Sequence, residues 1–66
     1  MTKQDAINEM KLGFKISHRW FSDNEWMTIE GNKILTEEGY KHNMNEFWSY
    51  RTDKSWDEGY YFFEGK

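Results

Sequence analysis

Sixty-six residues with no proline and no cysteine make at most one domain and exclude disulfides and thiolate metal sites, which fits a reducing cytosol. A formal charge of −3 and a pI near 5.3 set the chain against general nucleic-acid binding, because a reader of the phosphate backbone needs a basic face that releases counterions. No apolar run approaches the roughly 20 residues of a membrane span, and Met1-Thr2-Lys3-Gln4-Asp5 lacks the charged-then-apolar order of a signal peptide, so the expectation is a soluble, intracellular protein without membrane contact.

Thr2 and Asp5 have the spacing of a capping box and predict a helix of about ten residues from Lys3 to Leu12, stopped by Gly13. A helix this short does not hold alone, so its apolar side, Ala6, Ile7 and Met10, must lie on a sheet. Near-alternation of apolar and polar side chains then predicts a hairpin: Phe14 to Trp20, a turn at Ser22-Asp23-Asn24, and a return through Trp26 to Ile29. Glu30-Gly31-Asn32-Lys33 is a second turn, with Gly and Asn suited to the positive φ of a tight hairpin loop. Lys33 to Thr36 forms the next strand, Glu37-Glu38-Gly39 turns again, and Tyr40-Lys41-His42 is a short strand, so the middle of the chain is an antiparallel meander.

Asn43 followed three residues later by Glu46 caps a second short helix, from about Met44 to Tyr50 or Thr52, in which Phe47 shares a face with Tyr50 or Arg51, and Met44 with Trp48. Asp53-Lys54-Ser55 breaks it, Trp56 follows, and Gly59 introduces Tyr60-Tyr61-Phe62-Phe63 as the closing strand. Four rings in a row exceed simple alternation, which predicts cover on both faces of that strand, one by the core and one by a helix or a neighbouring subunit. The fold class is therefore α+β in a single domain: an N-terminal helix, an antiparallel meander, a second short helix and a C-terminal strand.

Four Trp, four Tyr and five Phe supply 20% of the residues, each ring able to bury on the order of 150–250 Å². A domain this small has little else to bury, so at least two tryptophans are expected in the core. The surplus is expected to line a pocket or a contact between copies, which makes a homo-oligomer the expected state.

His18 and His42 match no metal-ligand spacing and read as surface or strand-face histidines. A hydrolase with His18 as base and Ser17 or Ser22 as nucleophile would need an orienting acid and an oxyanion hole that no motif supplies. The expectation is a protein without catalysis, metal or cofactor. Arg19, Trp20, Phe21 and Trp26 at one hairpin end, with Trp48, Arg51 and Trp56 later, are the residue types of a pocket for a nucleotide-like anion, in which rings stack a base and guanidinium groups meet phosphate. The same residues also suit a plain core whose arginines cover rings.

The helix ending in Gly13, the run Lys15-Ile16-Ser17-His18-Arg19 leading to Trp20, the Glu38-Gly39 turn, Trp48, Thr52-Asp53 and a terminal aromatic strand resemble, over most of the chain and through loose motifs, the small phage proteins of the Thoeris anti-defence sponge type. Where that family continues Asp-Leu-Leu-Ala, this chain has Asp53-Lys54-Ser55-Trp56, and Tyr60 stands near the place of the family's last tryptophan. The resemblance implies an oligomer in the cytoplasm of a bacterial host that sequesters cyclic ADP-ribose or a related cyclic nucleotide without cleaving it. On that likeness Trp20 is the family's early tryptophan, with Arg19 beside it, and Asp53 begins the closing segment. The ring surplus and the paired arginines add the expectation that Trp20 and Trp26 stack rings, with Trp48 in the same site, that Arg19 and Arg51 meet phosphates, and that Asp53 accepts from a ribose or base. The alternative is an inhibitor that binds a host nuclease or polymerase through an aromatic patch with an acidic rim of Asp23, Glu25, Glu37, Glu38, Asp57 and Glu58.

Overall fold

The computed structural model describes residues 1–64. Its elements are α1 (Lys3–Lys11), β1 (Ile16–His18), β2 (Met27–Glu30), β3 (Lys33–Thr36), β4 (Lys41–Asn43), α2 (Met44–Ser49), a 3-10 turn at Lys54–Trp56, and β5 (Tyr60–Phe62). The strands form one antiparallel sheet in the order β4-β3-β2-β1-β5, so the fold is α+β.

Local chemistry explains the helix ends. Thr2 Oγ1 accepts from the Asp5 N–H at 3.1 Å, and the Asp5 carboxylate accepts from the Thr2 N–H at 3.3 Å, closing the capping box that starts α1. Asn43 Oδ1 accepts from the Glu46 N–H at 3.1 Å and starts α2, which ends at Ser49 with Tyr50 as its cap. Between β2 and β3, Gly31 at φ +65° makes the tight turn that sets Ile29 opposite Ile34 and Met27 opposite Thr36.

The registers put Ile16, Met27, Ile29, Ile34 and Tyr60 on one face of the sheet, because side chains alternate along a strand. Those five residues share a buried cluster with Ala6 and Met10 of α1 and Phe47 of α2. Both helices therefore cover the same face. On the reverse face, Ser17 lies opposite Tyr61. The Phe63 N–H donates to the Lys15 carbonyl at 3.0 Å and prolongs the β1–β5 ladder.

Three expectations are corrected. The first hairpin is much shorter than predicted: β1 is three residues long and meets β2 only at Ile16 opposite Met27. Side chains capture the donors that a longer ladder would need, since the Trp20 N–H donates to His18 Nδ1 and the Ser22 N–H to the Glu25 carboxylate. Strand β1 instead pairs through three residues with β5, at Ile16–Phe62, Ser17–Tyr61 and His18–Tyr60.

Within the chain the closing strand is buried only at Tyr60, while Tyr61 and Phe62 are 45% and 47% exposed. Among the described residues no helix lies on the reverse face, so the helix expected there is not found, and Phe62 sits at the sheet edge, where it packs edge-on against Phe14. Nor is any tryptophan in the core. Ala, Met and Ile at the inward positions, with Phe47 and Tyr60, fill the small interior and leave the indoles at its margin.

Gly59 holds φ +96°, and a methyl group there would stand 2.9 Å from Arg19 Nε. Gly59→Ala is expected to cost about 1–2 kcal/mol for the left-handed backbone alone. Displacement of Arg19 adds to that cost. Urea denaturation checks it: the loss should be smaller when the substitution is made in an Arg19→Ala background, which removes the clash and keeps the strain.

Candidate functional site

The interior beside β1 is built around a histidine. His18 is fully buried on the inward face of β1, so of the surface and strand-face alternatives it is the strand-face one. Its Nδ1 accepts from the Trp20 N–H at 3.1 Å, so the proton sits on Nε2, which lies 2.8 Å from the Glu58 carbonyl and 3.1 Å from the Ser55 carbonyl. The ring stacks on Trp56 with centroids 4.3 Å apart and leans on Tyr60 at 4.5 Å. Tyr60 in turn donates its hydroxyl to the Trp56 carbonyl, and burial pushes its phenol up to about 12.

Both nitrogens of His18 are thus committed to the backbone. Ser17 points to the opposite face of the sheet and donates to the Glu25 carbonyl at 2.9 Å, so no Ser–His pair exists here. Among the described residues no group of His, Asp or Glu is placed to hold a metal ion.

The six predicted site residues are distributed over several places. Arg19 lies along Gly59 with its guanidinium 5.9 Å from the Trp20 ring, and its Nη2 reaches the Ser55 carbonyl at 3.5 Å. Trp20 is 62% exposed. Trp26 is half-buried beneath Lys15 Nζ at 4.4 Å and beside Phe63, whereas Trp48 lies edge-on to Phe47 and Tyr60 with Lys3 Nζ above it at 4.5 Å. Arg51 packs its guanidinium 3.9 Å from the Phe47 centroid and 5.2 Å from that of Trp56, and donates to the Phe47 carbonyl at 2.9 Å. The Asp53 carboxylate accepts from the Ser55 N–H at 3.0 Å and caps the 3-10 turn.

A pattern emerges from these contacts. Each of the four indoles carries one cation of the same chain: Lys3, Lys15, Arg19 or Arg51. The basic groups expected to meet phosphate are largely spent on rings and carbonyls.

A cleft of about 330 Å³ opens where the turn after β3 faces α2. Five rings, Phe21, Trp26, His42, Phe47 and Tyr50, line it together with four carboxylate residues, Glu25, Glu37, Glu38 and Glu46. Among the described residues Arg51 is its one Arg or Lys, and burial draws that guanidinium below its ordinary value while Tyr60 and Glu25 oppose the shift. Of the six predicted residues only Trp26 and Arg51 line this cleft, and the balance of charge in it is acidic rather than basic. Glu25, Glu37 and Glu38 belonged to the acidic rim, and Phe21 to the aromatic hairpin end, read from the sequence, whereas Phe47, Tyr50 and Glu46 come in only because α2 folds back against β3 and β4.

Comparison with protein-family models, with curated proteins and with solved structures found no match.

Burial draws the pKa of His18 below its ordinary 6.5; its two carbonyl partners oppose that shift, and Arg19 and Arg51 add to it. The unfolded chain therefore takes up the proton first as pH falls, so the stability that His18 confers is complete above pH 6.5 and declines as pH drops from there towards the folded-state value. His18→Ala leaves the Trp20 N–H without its acceptor and a cavity beside Trp56, and is expected to cost about 2–4 kcal/mol. Urea titrations at several pH values check both: the variant should be less stable at pH 7.5 and its stability should fall less steeply between pH 6.5 and 5.

Proposed function

We propose that this chain is a non-enzymatic binding protein whose cleft takes a basic side chain, lysine or arginine, from a partner protein. The observation that carries this reading is the cleft itself, lined by four carboxylate residues and four Phe, Trp or Tyr rings together with one half-buried guanidinium. A cation entering there meets ring faces and carboxylates together, the two surfaces that hold ammonium and guanidinium groups best. An anion would meet the opposite field. Glu38 and Glu46 are exposed at the mouth and meet the partner first, which gives association a steering component that salt weakens. Within this reading the partner is a protein of the host cell, and the module acts by occupying a basic surface that the host protein needs.

A second reading, sequestration of a cyclic nucleotide or cyclic ADP-ribose by an oligomer, is favoured by one feature, the exposed pair Arg19 and Trp20. A base could stack on that indole beside the guanidinium.

Isothermal titration separates the two. A short arginine- and lysine-rich peptide is expected to bind, with affinity that falls as salt is raised. The double variant Glu38→Gln, Glu46→Gln is expected to weaken it about tenfold or more, both groups lying at the mouth rather than inside the fold. Heat with cyclic ADP-ribose isomers or cyclic dinucleotides, and none with the peptide, would sink the first reading and establish the second.

A further inference from the structure

We propose that the chain closes its own cleft by dimerising, with Arg19 and Trp20 of one copy seated in the acidic, ring-lined cleft of the other. The inference rests on the cation-binding reading of that cleft. Arg19 and Trp20 leave β1 on the very segment that next delivers Phe21, Glu25 and Trp26 to the cleft wall, so the protruding pair and the cleft adjoin at one end of the sheet.

The two patches complement one another. Trp20, at 62% exposed, is the indole that the fold leaves in water, although a ring of this size gains most from burial. Beside it the exposed Arg19 side chain lies along Gly59 with its guanidinium near the Trp20 ring, and its one side-chain hydrogen bond is long, 3.5 Å to the Ser55 carbonyl. The cleft offers what this pair lacks: ring faces for the indole and carboxylates for the guanidinium. When complementary patches are neighbours on one surface, a two-fold axis between them lets each copy's pair enter the other's cleft, and the assembly closes at two. The closed pair buries Trp20 twice and spends both clefts. A partner's basic side chain then competes with Arg19, so partner binding and self-association exclude each other.

Sedimentation velocity over a series of protein concentrations up to the millimolar range tests the inference. A monomer–dimer equilibrium is expected, and Trp20→Ala and Arg19→Glu should each weaken it about tenfold or more. Because both side chains are exposed, circular dichroism of each variant should remain that of the folded protein. Mixing the Arg19→Glu variant with a Glu38→Lys, Glu46→Lys variant should restore a mixed dimer, by exchanging the two signs of charge across the contact. A strict monomer at every concentration overturns the inference, as does a dimer indifferent to both Trp20→Ala and Arg19→Glu.

Peptide titration of the Trp20→Ala monomer reads the cleft without the dimer. Binding there with a strictly monomeric native chain leaves the partner reading standing and removes this one. A charge-sensitive dimer with no peptide binding supports this one and removes the partner.

Discussion

The buried imidazole of His18 is the constraint on which the rest of the molecule depends. One neutral ring ties two separate stretches of chain: it accepts from the backbone at Trp20 and donates towards the carbonyls of Ser55 and Glu58. Trp56 stacks on one side and Tyr60 leans on it from β5. Because the first of these bonds takes the Trp20 N–H, the chain leaves β1 after His18 and runs out as an irregular loop instead of extending the hairpin to β2. Because the other two hold the segment before β5, the last strand is delivered to the free edge of β1. A three-residue strand in the middle of a sheet would otherwise have too few ladder bonds to fix its neighbours.

The second organising fact is where the cations go. In a chain of nine Lys and Arg residues, four lie against indoles, and Arg51 also packs on Phe47 and donates to its carbonyl. This arrangement lets tryptophans remain at the margin of a small core, since a cation lying on a ring face shields apolar surface while keeping its charge near water. It also removes positive charge from circulation. The carboxylates are spread over the turns, and where the turn after β3 meets α2 four glutamates line one cleft with the half-buried Arg51. The cleft is acidic because the basic side chains are engaged elsewhere, not because the chain as a whole is strongly acidic.

Residue types alone thus point towards one ligand and their placement towards another. Arg19, Trp20, Trp26, Trp48, Arg51 and Asp53 are what an anion pocket would use, yet Asp53 caps a 3-10 turn, Trp48 packs on Tyr60 and Phe47, and only Trp26 and Arg51 reach the cleft. Spacing in sequence carries no information about which of several arginines will meet which of several indoles. The pair that was legible, Phe47 with Arg51, lies one helical turn apart, where local geometry forces the contact.

Much of the frame was determined locally and could be read from the sequence. Thr2 with Asp5 and Asn43 with Glu46 begin the two helices because short polar side chains satisfy the first free N–H groups, and the turn at Gly31 sets the register of β2 and β3 because glycine takes the positive φ that the turn requires. What the tertiary structure alone decided depends on contacts between distant residues. The burial of His18 needs carbonyls 37 and 40 residues away. The placing of β5 beside β1 follows from those bonds, and the withdrawal of every tryptophan from the core follows from the way alternate Ile and Met side chains of neighbouring strands already fill it. Hydrogen bonds between near neighbours depend on residue order, whereas the choice of what is buried depends on the competition of all side chains for one small interior volume.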